Sequence, residues 1–114
     1  MNATSDPVLG TDSKMLPIAD WQGRSGRHYL LAGEYLHTFT MRESDLYIIA
    51  SGSQVLWVGS SSDLVADPNS RRRFRLALDG ASQAFRLDAP EDRFAATWDL
   101  EGASPAALPM VQAA

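Results

Sequence analysis

Four arginines crowd into five positions of "SRRRFR": Arg71, Arg72, Arg73 and Arg75. A guanidinium offers a planar fork of donors that matches phosphate or carboxylate oxygens, which a lysine ammonium does not. Such a cluster on one element is a candidate nucleic-acid or anion-binding patch. The competing reading is a solvated helix face, with the nearby acids Asp63, Asp67 and Asp79 pairing with the arginines and cancelling the patch.

Other groups could do chemistry. His28, Glu34 and His37 form the only histidine-containing set, and two imidazoles with a carboxylate can hold zinc. Their spacing matches no strong metal motif, and a histidine beside Tyr29 is more often simply packed or exposed. "GRSGR" (Gly23–Arg27) is glycine-rich with two arginines, so it reads either as an anion-holding loop or as a turn between strands. The Walker pattern GxxxxGK is absent, as is Gly-x-Ser-x-Gly. There is no cysteine, which removes thiol nucleophiles, thiolate metal sites and disulfides.

The elements that must position these groups belong to one domain, since 114 residues supply one compact core and not two. The net charge of −4 argues against whole-surface attraction to nucleic acid and leaves only a local basic patch for that role. The start lacks the basic and apolar run of a secretory signal, and no window has the roughly 18 apolar residues of a membrane span. The reading is a cytoplasmic protein with no membrane partner. Residues 1–15 read as a disordered tail, 16–102 as a single α/β domain, and 103–114 as a flexible Ala/Pro tail.

Within the domain, "LPIADW" and "RHYLLAG" flank "QGRSGR" as a hairpin or wide loop. "EYLHTFTM" is ambiguous between helix and strand. "DLYIIAS" and "QVLWVGS" are strands joined by a turn, a hairpin over 46–50 and 55–59. Alternation puts Leu46, Ile48 and Ala50 on one face and Tyr47 and Ile49 on the other. Both sets are apolar, which predicts a sheet covered on both sides. Asp67 and Pro68 form a helix start, and Phe74, Ala77, Leu78 and Ala81 follow at helical spacing. Alternation of Phe74, Leu76 and Leu78 leaves a strand open over 71–78. "SQAFRLD" reads as a strand. "PEDRFAATWDLEG" reads as a helix with Phe94, Thr97, Trp98 and Glu101 on one face, or as a last strand over 94–100. The expected fold is α+β: a small mixed sheet with a central antiparallel hairpin and about two helices.

The order hairpin, arginine-bearing helix, strand and glutamate-bearing segment resembles the GIY-YIG nuclease domain over residues 44–102. "DLY" (Asp45–Tyr47) stands where that family's first motif lies, and "WVG" (Trp57–Gly59) where the second lies on the neighbouring strand. "SSSDL" looks like the polar lead into the next helix. The family's chemistry is metal-assisted phosphodiester hydrolysis by a tyrosine, an arginine and a glutamate that holds one divalent ion. The resemblance implies Tyr47, Arg71 and Glu101 as catalytic residues, with Glu101 as the ligand of Mg²⁺ if the domain is active. The second motif's tyrosine is replaced by Trp57, which has no ionisable hydroxyl. The family's arginine would fall near Asp67, and Arg71 lies one helical turn later. These departures favour a GIY-YIG-like domain that has lost cleavage and keeps a binding role, for nucleic acid through Arg71, Arg72, Arg73 and Arg75 or for a protein. The alternatives are an active metal-dependent DNA endonuclease and an unrelated α+β protein-interaction domain.

Overall fold

The computed structural model describes residues 16–106. Residues 1–15 and 107–114, where the sequence predicts most of its two tails, lie outside the described residues. The elements are β1 (Ile18–Gln22), β2 (His28–Glu34), β3 (Leu46–Ser51), β4 (Gln54–Gly59), α1 (Ser61–Ala66), α2 (Pro68–Gly80), β5 (Gln83–Leu87), α3 (Arg93–Glu101) and β6 (Ser104–Pro105). The fold is α+β. The six strands form one sheet in the order β4-β3-β5-β2-β1-β6, and every pairing is antiparallel. β3 is an inner strand of this sheet, and its hairpin partner β4 is an edge.

β3 is the spine because both of its faces are apolar and both are covered. Leu46, Ile48 and Ala50 face a cluster with Trp21, Phe85 and Leu100, the last from α3. Tyr47 and Ile49 face a second cluster with Trp57 and Ala84, capped by Phe74, Ala77, Leu78 and Ala81 from α2 and its end. Fully burying an aliphatic side chain of this size stabilises by roughly 1.5–3 kcal/mol, so β3 alone anchors both layers. Gly52 takes a positive φ of 59° in the turn, as tight two-residue hairpin turns require. In β4 the register shifts: Trp57 pairs with Ile49 and Val55 with Ala50, leaving Leu56 as the extra residue. That bulge is why Val55 and Val58 reach the same cluster while Trp57 faces the other.

α2 is a helix over the whole arginine run. The Asp67 side chain accepts from the Asn69 N–H at 3.0 Å, and Pro68 occupies the first turn. The strand alternative for 94–100 also gives way to a helix. Asp92 is its N-cap, accepting from the Ala95 N–H at 3.0 Å. The stripe Phe94–Trp98–Glu101 faces solvent, while Ala96, Asp99 and Leu100 are the buried side.

Two expectations are corrected. "SSSDL" is itself helical: Ser61–Ala66 form α1, and the Asp63 Oδ2 accepts from the Ser60 N–H at 2.8 Å and its hydroxyl at 3.1 Å. Residues 103–106 are part of the domain, not of a tail. Ala103 is buried, Ser104 and Pro105 pair with Gln22 and Trp21, and the Ala106 N–H donates to the Asp20 carbonyl at 2.9 Å. The proline fits because β6 is an edge strand, where one missing N–H can face away from the sheet. After Glu34, which ends β2, "YLHTFTM" forms neither helix nor strand; it is a loop whose Leu36, Phe39 and Met41 close the second cluster.

Candidate functional site

The arginine cluster divides by the helical period. Arg71 points back along the chain, and its Nη1 donates to the Leu64 carbonyl at 2.7 Å and the Val65 carbonyl at 3.3 Å. It thus closes the C-terminal end of α1, where carbonyls lack intrahelical partners and attract a cation. Arg72, Arg73 and Arg75 are exposed. The acids that could have neutralised them are used otherwise or stand apart. Asp63 holds Ser60 and Asp67 caps α2. Asp79 is exposed. Among the described residues the ion pairs join His28 to Asp20, and Arg86 to Glu34, Asp45 and Asp88, so no carboxylate lies within pairing distance of the α2 guanidinium groups. Arg73 also reaches the β4 edge, where it lines a hollow of about 240 Å³ with Leu56, Trp57 and Glu101.

The three groups that the nuclease resemblance singles out do not come together. Tyr47 is 1% exposed, and its hydroxyl accepts from the Arg42 N–H at 2.7 Å and donates to the Thr40 carbonyl at 3.4 Å. Its ring stacks on Phe39 with centroids 5.5 Å apart. The hydroxyl thereby pins the loop that covers the second cluster. Arg71 serves α1 on the same side of the sheet. Glu101 lies on α3, which covers the opposite face, and it lines a hollow at the sheet edge with Arg73, not with Arg71. Trp57, in place of the second motif's tyrosine, is buried. Its indole N–H donates to Ser70 Oγ at 3.4 Å, and its ring meets Phe74 edge-on at 4.8 Å. A Cβ on Gly59 would lie 2.5 Å from that ring, so the glycine of "WVG" is required for Trp57 to fold over it.

A divalent metal needs several oxygen ligands at one point. Among the described residues no group of three or more His, Asp or Glu side chains gathers to hold an ion. Glu101 has no neighbouring carboxylate in its hollow. The residues present therefore do not fit the Mg²⁺ that the resemblance implies. The histidine set is likewise dispersed. His28 Nδ1 meets Asp20 Oδ1 at 2.9 Å, and Glu34 takes Arg86 Nε at 3.1 Å. His37 sits in the exposed loop.

"GRSGR" does hold an anion, and the anion is internal. Asp99 of α3 accepts from the Ser25 N–H at 2.8 Å, the Ser25 hydroxyl at 2.7 Å and the Tyr29 hydroxyl at 2.8 Å. Arg24 donates from Nε to the Trp98 carbonyl at 2.8 Å and lies over the Trp98 ring, 5.1 Å from its centroid. Gly23 leaves room for the carboxylate, which a Cβ there would strike, and Gly26 takes the positive φ of 91° that turns the loop. Burial pushes the Asp99 carboxyl up, but the hydrogen bonds from Ser25 and Tyr29 and the nearby Arg27 outweigh it and hold the group below its ordinary range. Burial and the adjacent Asp99 push the Tyr29 hydroxyl above its ordinary value. With its oxygens committed, this cluster staples the β1–β2 turn to α3. No local pattern announces it, because the partners lie 70 or more positions apart.

A second carboxylate centre surrounds Arg86, which contacts Glu34, Asp45 and Asp88. Asp45, the first residue of "DLY", is buried and accepts from the Ala89 N–H at 2.8 Å. It ties the start of β3 to the exit of β5.

The chain matches no protein-family model, no curated protein and no solved structure. Among the described residues no helix is long and apolar enough to cross a membrane.

Proposed function

We propose that the domain is a GIY-YIG-like module without cleavage activity, which binds the phosphates of nucleic acid through Arg72, Arg73 and Arg75. The observation that carries the binding role is the exposure of these three guanidinium groups on one helix, with no carboxylate partner among the described residues. Desolvated internal ion pairs do not compete for them, so they are available to phosphate oxygens. Arg71, assigned to the same patch from sequence, is left out because it is occupied by α1 carbonyls.

The family resemblance is supported by the pairing of the two motif strands, which sets Tyr47 directly across from Gly59. Loss of cleavage is supported by what each reactive group already does. A general base must reach solvent or substrate. The Tyr47 hydroxyl is buried and bonded to loop backbone, Trp57 cannot ionise, and Glu101 stands on the other side of the sheet.

Three phosphate contacts give a slope of roughly −2 to −3 in log K against log salt. With a net charge of −4, affinity is expected in the weak range of about 10⁻⁴–10⁻⁶ M at physiological salt, without strong sequence preference. Fluorescence anisotropy with short labelled DNA and RNA at rising salt tests this. Replacing Arg72, Arg73 and Arg75 together by Ala abolishes binding if the proposal holds; unchanged binding contradicts it. A cleavage assay with Mg²⁺ or Mn²⁺ separates the enzyme alternative. Cutting that disappears in Tyr47→Phe or Glu101→Ala would restore the nuclease reading.

A further inference from the structure

Two of the helices with exposed apolar groups, α2 and α3, lie on opposite faces of the sheet and bear opposite charge. On α3, Phe94 is 88% and Trp98 56% exposed, and with Glu101 they follow at i, i+4 and i+7 along one stripe. The stripe continues past the helix start, where Glu91 and Asp92 line a hollow of about 570 Å³ with Phe94, Asp63 and Arg93. This is an aromatic pair with a mainly acidic border. On α2, Leu76 is 64% exposed and lies at i+4 from Arg72 and next to Arg75, with Asp79 at i+3, an apolar centre with a border of two cations and one acid. α2 covers the Tyr47 side of the sheet and α3 the Leu46 side; Arg73 and Glu101 line one hollow at the β4 edge, but Leu76 and the Phe94–Trp98 pair stay on opposite sides of the sheet within one molecule.

We infer that the α2 surface of one copy docks on the α3 surface of a second copy. Leu76 meets Phe94 and Trp98, while Arg72 and Arg75 meet Glu91, Asp92 and Glu101. Charge complementarity selects this occupant: the α2 stripe repels its own kind, and the acidic border of α3 does the same, so a symmetric pairing of either face with itself is disfavoured. Arginine beside exposed tryptophan and phenylalanine also matches the residue types that dominate binding energy at interfaces. The positive charges already near α3 leave most of the stripe open. Arg93 is turned to Ser60 and Ser62, and Arg24 covers one side of Trp98, which still leaves more than half of it open.

Such a contact uses a different surface on each partner. It is head-to-tail, and every assembly presents one free α2 surface at one end and one free α3 surface at the other, so growth continues with concentration. Two helices of 13 and 9 residues bury less than the roughly 800 Å² per partner of a standard interface, so the association is weak and reversible.

Sedimentation velocity of the full chain, at protein concentrations from roughly micromolar to millimolar, tests it. The expected result is a mean mass that rises with concentration at low salt and falls back toward monomer as salt screens the charges. Two variants make the geometry specific. Arg72→Glu with Arg75→Glu removes the α2 surface, and Phe94→Ala with Trp98→Ala removes the α3 surface. Each variant alone stays monomeric, and far-UV circular dichroism confirms that each is folded. Mixed in equal amounts they form a dimer that grows no further, because each supplies the surface the other lacks. A wild-type chain that stays monomeric throughout overturns the inference, as does association of either variant alone or a mixture that stays monomeric. The contact shares Arg72 and Arg75 with the proposed phosphate site, so the Phe94/Trp98 variant distinguishes the two claims: it loses self-association and retains nucleic-acid binding.

Discussion

The Tyr29 hydroxyl donates to Asp99 Oδ2 at 2.8 Å, across 70 positions of sequence. Together with the two Ser25 donors, this contact fastens the β1–β2 hairpin to α3. Asp99→Ala leaves a buried hydroxyl and an amide without their acceptor. Losing a buried charged acceptor costs about 2–4 kcal/mol, which equilibrium urea unfolding will measure. Ser25→Ala removes one donor only and costs about 1 kcal/mol on the same assay.

The same pair makes stability depend on pH at both the acid and the alkaline end. Asp99 is held below its unfolded value near 3.8, so its contribution is fully present above that pH. It is lost as pH falls through the lower folded value. Tyr29 is raised above its unfolded value of 10.0, so its contribution is present below that pH and is lost as pH rises through the higher folded value. Unfolding curves collected across both ranges show the two slopes. Asp99→Asn removes the acid-side share of the first, and Tyr29→Phe removes the second.

Arg71 and its neighbours give opposite results when replaced. Arg71→Ala frees two carbonyls at the end of α1, and the expected cost is about 1 kcal/mol of stability with nucleic-acid affinity nearly unchanged. Replacing Arg72, Arg73 and Arg75 by Ala leaves stability within about 0.5 kcal/mol, since exposed positions of this kind contribute little. Affinity carries the effect instead.

Gly59 is required by Trp57. A methyl at Gly59 overlaps the indole ring, and forcing such overlap costs typically 1–3 kcal/mol. Gly59→Ala will lower the urea midpoint and change the near-ultraviolet circular dichroism of Trp57. Gly80→Ala is the control, since a Cβ there meets only Leu56, at 4.0 Å.

Local signals made part of this molecule legible. The β3–β4 hairpin followed from dense β-branched and aromatic residues around a small turn, and α2 from the Asp67–Pro68 start and the spacing of Phe74, Ala77, Leu78 and Ala81. The bulge at Leu56 was hidden, because a run that is apolar on both faces has no alternation to interrupt. β6 was hidden by its own composition: "ASPAA" looks like a loose tail, and only its pairing with β1 makes it a strand. Of the candidate site, the exposed Arg72, Arg73 and Arg75 could be read from their clustering. That Arg71 differs from them depends on where α1 ends. The Asp99 and Arg86 centres were invisible, since each gathers partners from distant strands whose individual residues look like ordinary surface polar groups.

The most direct test of the proposed role is a salt titration of nucleic-acid binding by the wild type and the Arg72/Arg73/Arg75 triple alanine variant. The account predicts wild-type affinity that falls with salt at a slope of roughly −2 to −3 in log–log form, and a triple variant without measurable binding. A triple variant that binds as tightly as wild type, with the same slope, would contradict the assignment of α2 as the phosphate-binding face.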